Sequence, residues 1–225
     1  MKTRLSTLVV SAVFLSLSLT PIAVSAQGTG FYLRGDAGGV WTMDADLEEF
    51  FGEPLSGGAK VEFDAGPRFA IAAGYNVTDW FSVEGQTGFM INEIDTMTDA
   101  TDGEAFFSNV PLLLNARVQC PAECRLVPYI GGGVGMSAAV IDADDVVIGG
   151  TRMDGAESTV VFAYQAFGGL RLRINERMSV GVEYRYFGTT EPEWEAESTF
   201  GTADDELRFG RIQSHSVSVI FEFSF

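Results

Sequence analysis

The chain has 225 residues, 46% of them hydrophobic, and its 31 acidic against 14 basic side chains give a net charge of −17. So acidic a protein argues against nucleic acid as a partner. Two cysteines and a single distant histidine leave too few soft ligands for an ordinary zinc site. The length suits one domain or two small ones.

The N-terminus reads as a secretory signal peptide over residues 1–26. Lys2 and Arg4 form a positive start, an apolar stretch follows from Leu8 to Leu19, and Val24-Ser25-Ala26 offers a small-residue cleavage site. No cysteine lies at the cut, so a lipid anchor is not expected. The mature domain then spans 27–225, and nothing in it reaches the ~18 apolar residues of a membrane helix.

From residue 30 onward the apolar residues recur with period two, the signature of strands and not of helices. The first segment puts Phe31, Leu33, Ala37 and Trp41 on one face and Arg34 and Asp36 on the other. The second alternates Phe69, Ile71, Ala73 and Tyr75 with Arg68 and small residues. The third sets Phe81, Val83, Phe89 and Ile91 against Ser82, Glu84 and Gln86. The fourth sets Val110, Leu112, Leu114, Ala116 and Val118 against Asn115 and Arg117. In the Gly-rich fifth, Ile130, Val134, Met136 and Ala138 share the apolar face. The sixth opposes Val160, Phe162, Tyr164, Leu170 and Leu172 to Gln165, Arg171 and Arg173. The seventh opposes Val180, Val182, Tyr184 and Tyr186 to Glu183 and Arg185. The eighth runs through Val217, Val219, Phe221, Phe223 and Phe225, with Glu222 on the opposite face.

Eight such segments, each read as about 9–11 residues, match a membrane-crossing β-strand. The links between them alternate. Those around Asn76–Asp79, Gln119–Leu126 and Ile174–Arg177 are short, whereas Thr42–Lys60, Glu93–Phe106, Ile141–Glu157 and Thr189–Glu206 are long. This predicts an all-β fold: an up-and-down, eight-stranded antiparallel transmembrane barrel with short periplasmic turns and long extracellular loops. Both termini would then be periplasmic. The competing soluble sheet would turn its apolar face inward. Charges of both signs on the polar face, and aromatic residues near the strand ends, favour the membrane barrel.

Charge follows the same division. The four long links hold 22 of the 31 acids, offset there only by Lys60 and Arg152. The polar faces of the strands carry Arg34, Arg68, Arg117, Arg171, Arg173 and Arg185 with Asp36, Glu84, Glu183 and Glu222. An eight-stranded barrel has room only for side chains, so these charges are expected to pair into a plug. Glycines on that face would leave space for Arg and Tyr. Asp142, Asp144 and Asp145 in IDADD, and Glu191, Glu193, Glu195 and Glu197 in EPEWEAE, are hard-oxygen groups able to meet Ca²⁺ or Mg²⁺, but neither stretch has EF-hand spacing. They read first as solvated loop charge, and no metal or other cofactor is expected. Cys120 and Cys124, in CPAEC, read as a disulfide staple in a turn of an exported protein. The x3 spacing excludes a CxxC redox motif.

The pieces FYLRGDAGG, PYIGGGVG, AYQAFGGLR, VEYRYF and HSVSVIFEFSF, in that order, resemble the OmpA-like and opacity-type outer-membrane barrels, the porin-family surface antigens. The resemblance covers the mature chain and lacks the peptidoglycan-binding domain of full-length OmpA proteins. It implies a surface protein with structural, adhesive or host-interaction roles, probed through its loops. It also implies that Val217, Val219, Phe221, Phe223 and Phe225 form the signal read by the barrel-assembly machinery. Expected partners are outer-membrane lipid, lipopolysaccharide, that machinery and an unidentified surface ligand, with the barrel a monomer. A narrow pore for small solutes is the alternative. A lipid A-modifying enzyme is less favoured. In barrels that deacylate lipid A a Ser follows two residues after the His, and here Val217 follows His215, while Ser214 and Ser216 face the other way.

Overall fold

The computed structural model describes residues 29–50, 53–54, 60–97, 104–121, 124–148, 151–190, 193–195, 206–209 and 211–225, with side-chain positions for 29–44, 63–94, 106–121, 124–140, 158–190 and 211–225. The region read as a signal peptide lies outside them. All the regular structure described is β. Eight strands make the wall: β1 (Gly30–Thr42), β5 (Gly66–Asn76), β6 (Phe81–Met97), β7 (Glu104–Gln119), β8 (Leu126–Ile148), β9 (Thr151–Arg173), β10 (Met178–Thr189) and β13 (Gln213–Ser224). Five short ones lie above it: β2 (Ala45–Phe50), β3 (Glu53–Pro54), β4 (Lys60–Phe63), β11 (Glu193–Glu195) and β12 (Glu206–Phe209).

Each wall strand is antiparallel to its neighbours, and β13 returns to pair with β1 from Tyr32↔Ser224 to Thr42↔Ser214. A further bond, Phe225 N–H to the Phe31 carbonyl at 3.0 Å, extends the seam to the last residue. The barrel is therefore closed, with eight strands. Closure satisfies every ladder position without an edge, a requirement in hydrocarbon, where no water replaces a missing hydrogen bond.

The period-two pattern decides which way each side chain faces. Leu33, Ile71, Leu112, Leu114, Ile130, Val160, Val182 and Val219 lie exposed on the outside, whereas Arg34, Glu84, Asn115, Gln165, Glu183 and Glu222 are buried inside. The expected faces hold in all eight strands. Local turn chemistry explains the short connections. At one, the Asn175 side-chain oxygen accepts from the Arg177 and Met178 backbone N–H groups at 2.9 and 2.8 Å. At another, the Thr78 hydroxyl accepts from the Phe81 N–H at 3.0 Å. The disulfide Cys120–Cys124 ties the third, its Cα atoms 6.6 Å apart.

At the opposite end the expected lengths need correction. β8 and β9 are each 23 residues long, well beyond the 9–11 expected. The stretch Ile141–Glu157 is accordingly paired strand from Ile141↔Glu157 to Ile148↔Thr151, with Asp142 opposite Ala156. The short strands continue the wall as well. β12 pairs with β2, β2 with β4 and β4 with β6, repeating above the rim the order of β13, β1, β5 and β6 below it. Neighbouring strands that are already aligned extend their ladder easily, and period-two apolarity carries no information about where the bilayer ends.

Candidate functional site

The lumen is the first place to look for chemistry. Five guanidiniums (Arg34, Arg68, Arg117, Arg171, Arg185) and four carboxylates (Asp36, Glu84, Glu183, Glu222) are buried there among the described residues. They come from strands far apart in sequence and meet because alternate residues of every strand point to one axis.

The centre is a chain of charge. Arg34 bridges Glu84 at 2.8 Å and Glu183 at 2.7 Å. Glu183 also binds Arg185, two residues along the same strand and on the same face. Toward the short-turn end, Arg117 pairs with Glu222 at 2.8 Å and approaches Glu84 at 4.0 Å. Glu222 also pairs with Arg171, whose other nitrogen donates to Gln119 at 2.9 Å. Toward the opposite end Arg68 pairs with Asp36 and donates to Ser218 at 3.3 Å. Arg173, expected in the same network, is only half-buried, at the short-turn mouth. Charges taken this far from water persist only when paired and hydrogen-bonded, and removing one partner of such a pair costs about 3–5 kcal/mol.

Amides and phenols fill the gaps. Gln86, Asn115 and Gln165 form a triad: Asn115 Nδ2 donates to Gln86 at 2.8 Å, and Gln165 Nε2 donates to Gln86 at 2.8 Å and Asn115 at 2.6 Å. Arg185 donates to Gln86 at 2.7 Å, joining the triad to the ionic chain. The hydroxyls of Tyr32 and Tyr129 donate to Glu84 and Glu183 at 2.8 and 2.9 Å. The Arg117 guanidinium sits over the Tyr32 ring at 4.7 Å, and Arg185 over Phe167 at 4.7 Å.

These phenols were not among the expected site residues, although Tyr32 shares the parity of Arg34 and Tyr129 faces the lumen from the Gly-rich strand. Each lies against glycine on the neighbouring strand. Tyr32 is opposite Gly74, Tyr129 opposite Gly169 and Phe167 opposite Gly131. A Cβ at Gly74 would meet the Tyr32 ring, and one at Gly131 the Phe167 ring. The glycines are the floor on which the large rings lie.

Above the ions the lumen turns apolar. Val40, Met90, Leu113, Ala163 and Phe187 form one buried cluster. Farther toward the long-link end, Phe107 and Phe63 pack with centroids 5.6 Å apart. Polar contacts continue at its edge, Thr42 to Asn92 at 2.9 Å and Ser137 to Asn109 at 3.1 Å. The lumen is thus filled in two ways, by paired charge below and by an apolar cluster edged with uncharged polar groups above.

The other expected residues lie elsewhere. His215 is on the outer surface, its Nδ1 2.6 Å from the Tyr184 hydroxyl. Ser214 and Ser216 are buried on the lumen side, so no nucleophile shares its face within the strand. Asp142, Asp144 and Asp145 lie within β8, but their side chains fall outside the described set; the same holds for Glu193 and Glu195 in β11, and Glu191 and Glu197 lie outside it altogether. Val217, Val219, Phe221 and Phe225 are exposed on the outer face, with Phe223 half-buried beside Phe225 at 5.3 Å.

Among solved structures, the chain is similar to OprG from Pseudomonas aeruginosa, with a TM-score of 0.60, 16% identity and coverage of 88% of this chain and 97% of that one. It is similar to the neisserial surface protein NspA, with a TM-score of 0.52, 16% identity and coverage of 88% and 99%. The outer membrane protease OmpT from Escherichia coli has a TM-score of 0.50, with 7% identity and coverage of 86% and 97%. At these identities the likeness is one of fold. No curated protein sequence matches the chain. The model of the outer membrane protein beta-barrel domain matches residues 9–225, and the closed barrel with its lipid-facing apolar wall agrees: the chain belongs to this family of bacterial outer-membrane proteins.

Proposed function

We propose that the chain is a non-enzymatic surface barrel whose sealed wall holds acidic extracellular segments in a structural, adhesive or surface-interaction role. The filled lumen carries this reading. Five buried guanidiniums and four carboxylates lie beneath an apolar cluster, which leaves the wall to serve as an anchor. In this reading the short turns and both termini face the periplasm, residues 1–26 are removed on export, and the barrel is a monomer. The row from Val217 to Phe225 serves the assembly machinery, because the strand that closes the barrel must be recognised before the seam forms. The long-link end, where 22 of 31 acids lie, is the part available to a surface ligand.

The same lumen disfavours a pore, since ions moving through it would have to part the Arg34–Glu183 and Arg117–Glu222 pairs and pass the buried apolar cluster of Val40, Met90, Leu113, Ala163 and Phe187. His215, on the lipid face with a phenol as its hydrogen-bond partner, has no nucleophile in register. The test is conductance of the purified, refolded barrel in planar bilayers. Silence, or only rare small events, is the expected result. Stable, large, reproducible steps would replace this reading with a channel.

A further inference from the structure

The buried charges of the lumen do not balance, and the excess has a place. Five guanidiniums face four carboxylates among the described residues. Asp36 answers Arg68. Glu84 and Glu183 answer Arg34 and Arg185, which also lie against the Phe167 ring. That leaves Glu222 to serve both Arg117 and Arg171. Its Oε2 accepts from Arg117 at 2.8 Å and its Oε1 pairs with Arg171, so both oxygens are engaged. Glu84, already held by Arg34, stands 4.0 Å from Arg117. One positive charge is left unmatched, and it belongs to the Arg117–Glu222–Arg171 group.

Hydrogen-bond acceptors run short at the same point. Arg171 donates through Nη2 to Gln119 at 2.9 Å, and Arg117 through Nε to Ser82 at 3.1 Å. Arg171 Nε and Arg117 Nη2 are buried with no acceptor among the described residues. The two side chains are 3% and 0% exposed. Their cross-strand neighbours bring no negative charge: Ser82 and Gly131 stand opposite Arg117, and Val127 and Gly181 opposite Arg171. Farther out, Arg173 adds positive charge at the short-turn mouth, beside the nearly buried Gln119. A buried charge without a counter-ion is expensive, and a guanidinium keeps its proton and so cannot escape the cost.

We propose that the lumen binds one small monovalent anion of the chloride class beside Glu222, held by the guanidiniums of Arg117 and Arg171. One added negative charge makes five against five. Such an ion accepts from several N–H donors at once, and Glu222, with both oxygens engaged, cannot. Water would meet the two donors and leave the charge unmatched. Size sets the class: an eight-stranded barrel has room for little beyond its own side chains, so a phosphate ester or a sugar acid has no place there. The ion enters from the short-turn mouth, past Arg173 and Gln119, because the apolar cluster around Leu113 lies toward the other end. It completes the plug and does not pass through it.

Urea unfolding of the refolded barrel tests this, with sodium chloride replacing sodium gluconate at constant ionic strength. Constant ionic strength fixes general screening, and gluconate is too large for the lumen. An ion bound only by the folded state multiplies the folding constant by 1 + [Cl⁻]/Kd, a gain of about tenfold once chloride is about tenfold above Kd. A plot of log folding constant against log chloride should therefore steepen toward a slope of one. A flat plot overturns the site, because the donors would then be met by water. Arg171→Gln, which brings the buried charges to four against four, should flatten the plot; a slope kept in that variant also overturns the site. Anomalous diffraction from wild-type crystals grown in bromide needs no variant to fold. A bromide peak beside Arg117 and Arg171 is expected, and its absence there refutes the proposal.

Discussion

Leu113 and Leu114 are the same residue, adjacent in one strand, and they do opposite things. Leu113 is 3% exposed and packs with Val40, Met90, Ala163 and Phe187 in the lumen, whereas Leu114 is 67% exposed on the lipid face. The whole wall divides in this way. Outside, one apolar side chain can replace another because acyl chains conform to whatever they meet. Inside, each group faces fixed partners, so shape, charge and hydrogen bonding must all agree. Irreplaceable residues therefore belong to the inner row and interchangeable ones to the outer row, whatever their chemical type.

The sharpest way to break this comparison is to remove an inner charge. Glu183→Gln leaves Arg34 and Arg185 short of a counter-charge and is expected to cost about 3–5 kcal/mol of unfolding free energy in urea titrations of the refolded barrel. A cost below about 1 kcal/mol would mean that water enters the lumen freely and that the network is not a seal.

The leucine pair gives a more direct contrast. Leu113→Ala should cost about 2–5 kcal/mol through the cavity it opens. Leu114→Ala should cost only about 0.5–1 kcal/mol, the difference in lipid preference of the two side chains. Equal losses in the same titration would erase the distinction between the faces.

The smallest effect concerns glycine. Gly74→Ala drives a Cβ into the Tyr32 ring and is expected to cost about 1–3 kcal/mol, while Gly35→Ala, facing open space, should be nearly neutral. Loss of the Tyr32–Glu84 bond in the first variant would also lower the heat-shift temperature on gels, whereas the second should run as wild type.

Much of this was legible in the sequence. In a strand, parity alone assigns a side chain to one face, so the alternation through Phe31, Leu33 and Arg34, or through Val217, Val219 and Glu222, determined the inner and outer rows. The antiparallel order followed from the link lengths. Arg34, Asp36, Arg68, Glu84, Arg117, Arg171, Glu183, Arg185 and Glu222 could all be placed inside on that ground.

Tertiary structure decided the rest. Parity says that Arg34 points inward, but not that it will bridge Glu84 and Glu183, 50 and 149 residues away. It gave Tyr32 and Tyr129 no role, because their role lies in reaching two carboxylates over glycines of the neighbouring strands. Nor did it show the change from charge to an apolar cluster along the lumen, or the continuation of β8 and β9 past the expected loop boundary. Facing is set locally by the geometry of one strand. Partnership and height are set by register and closure, which are properties of all eight strands together.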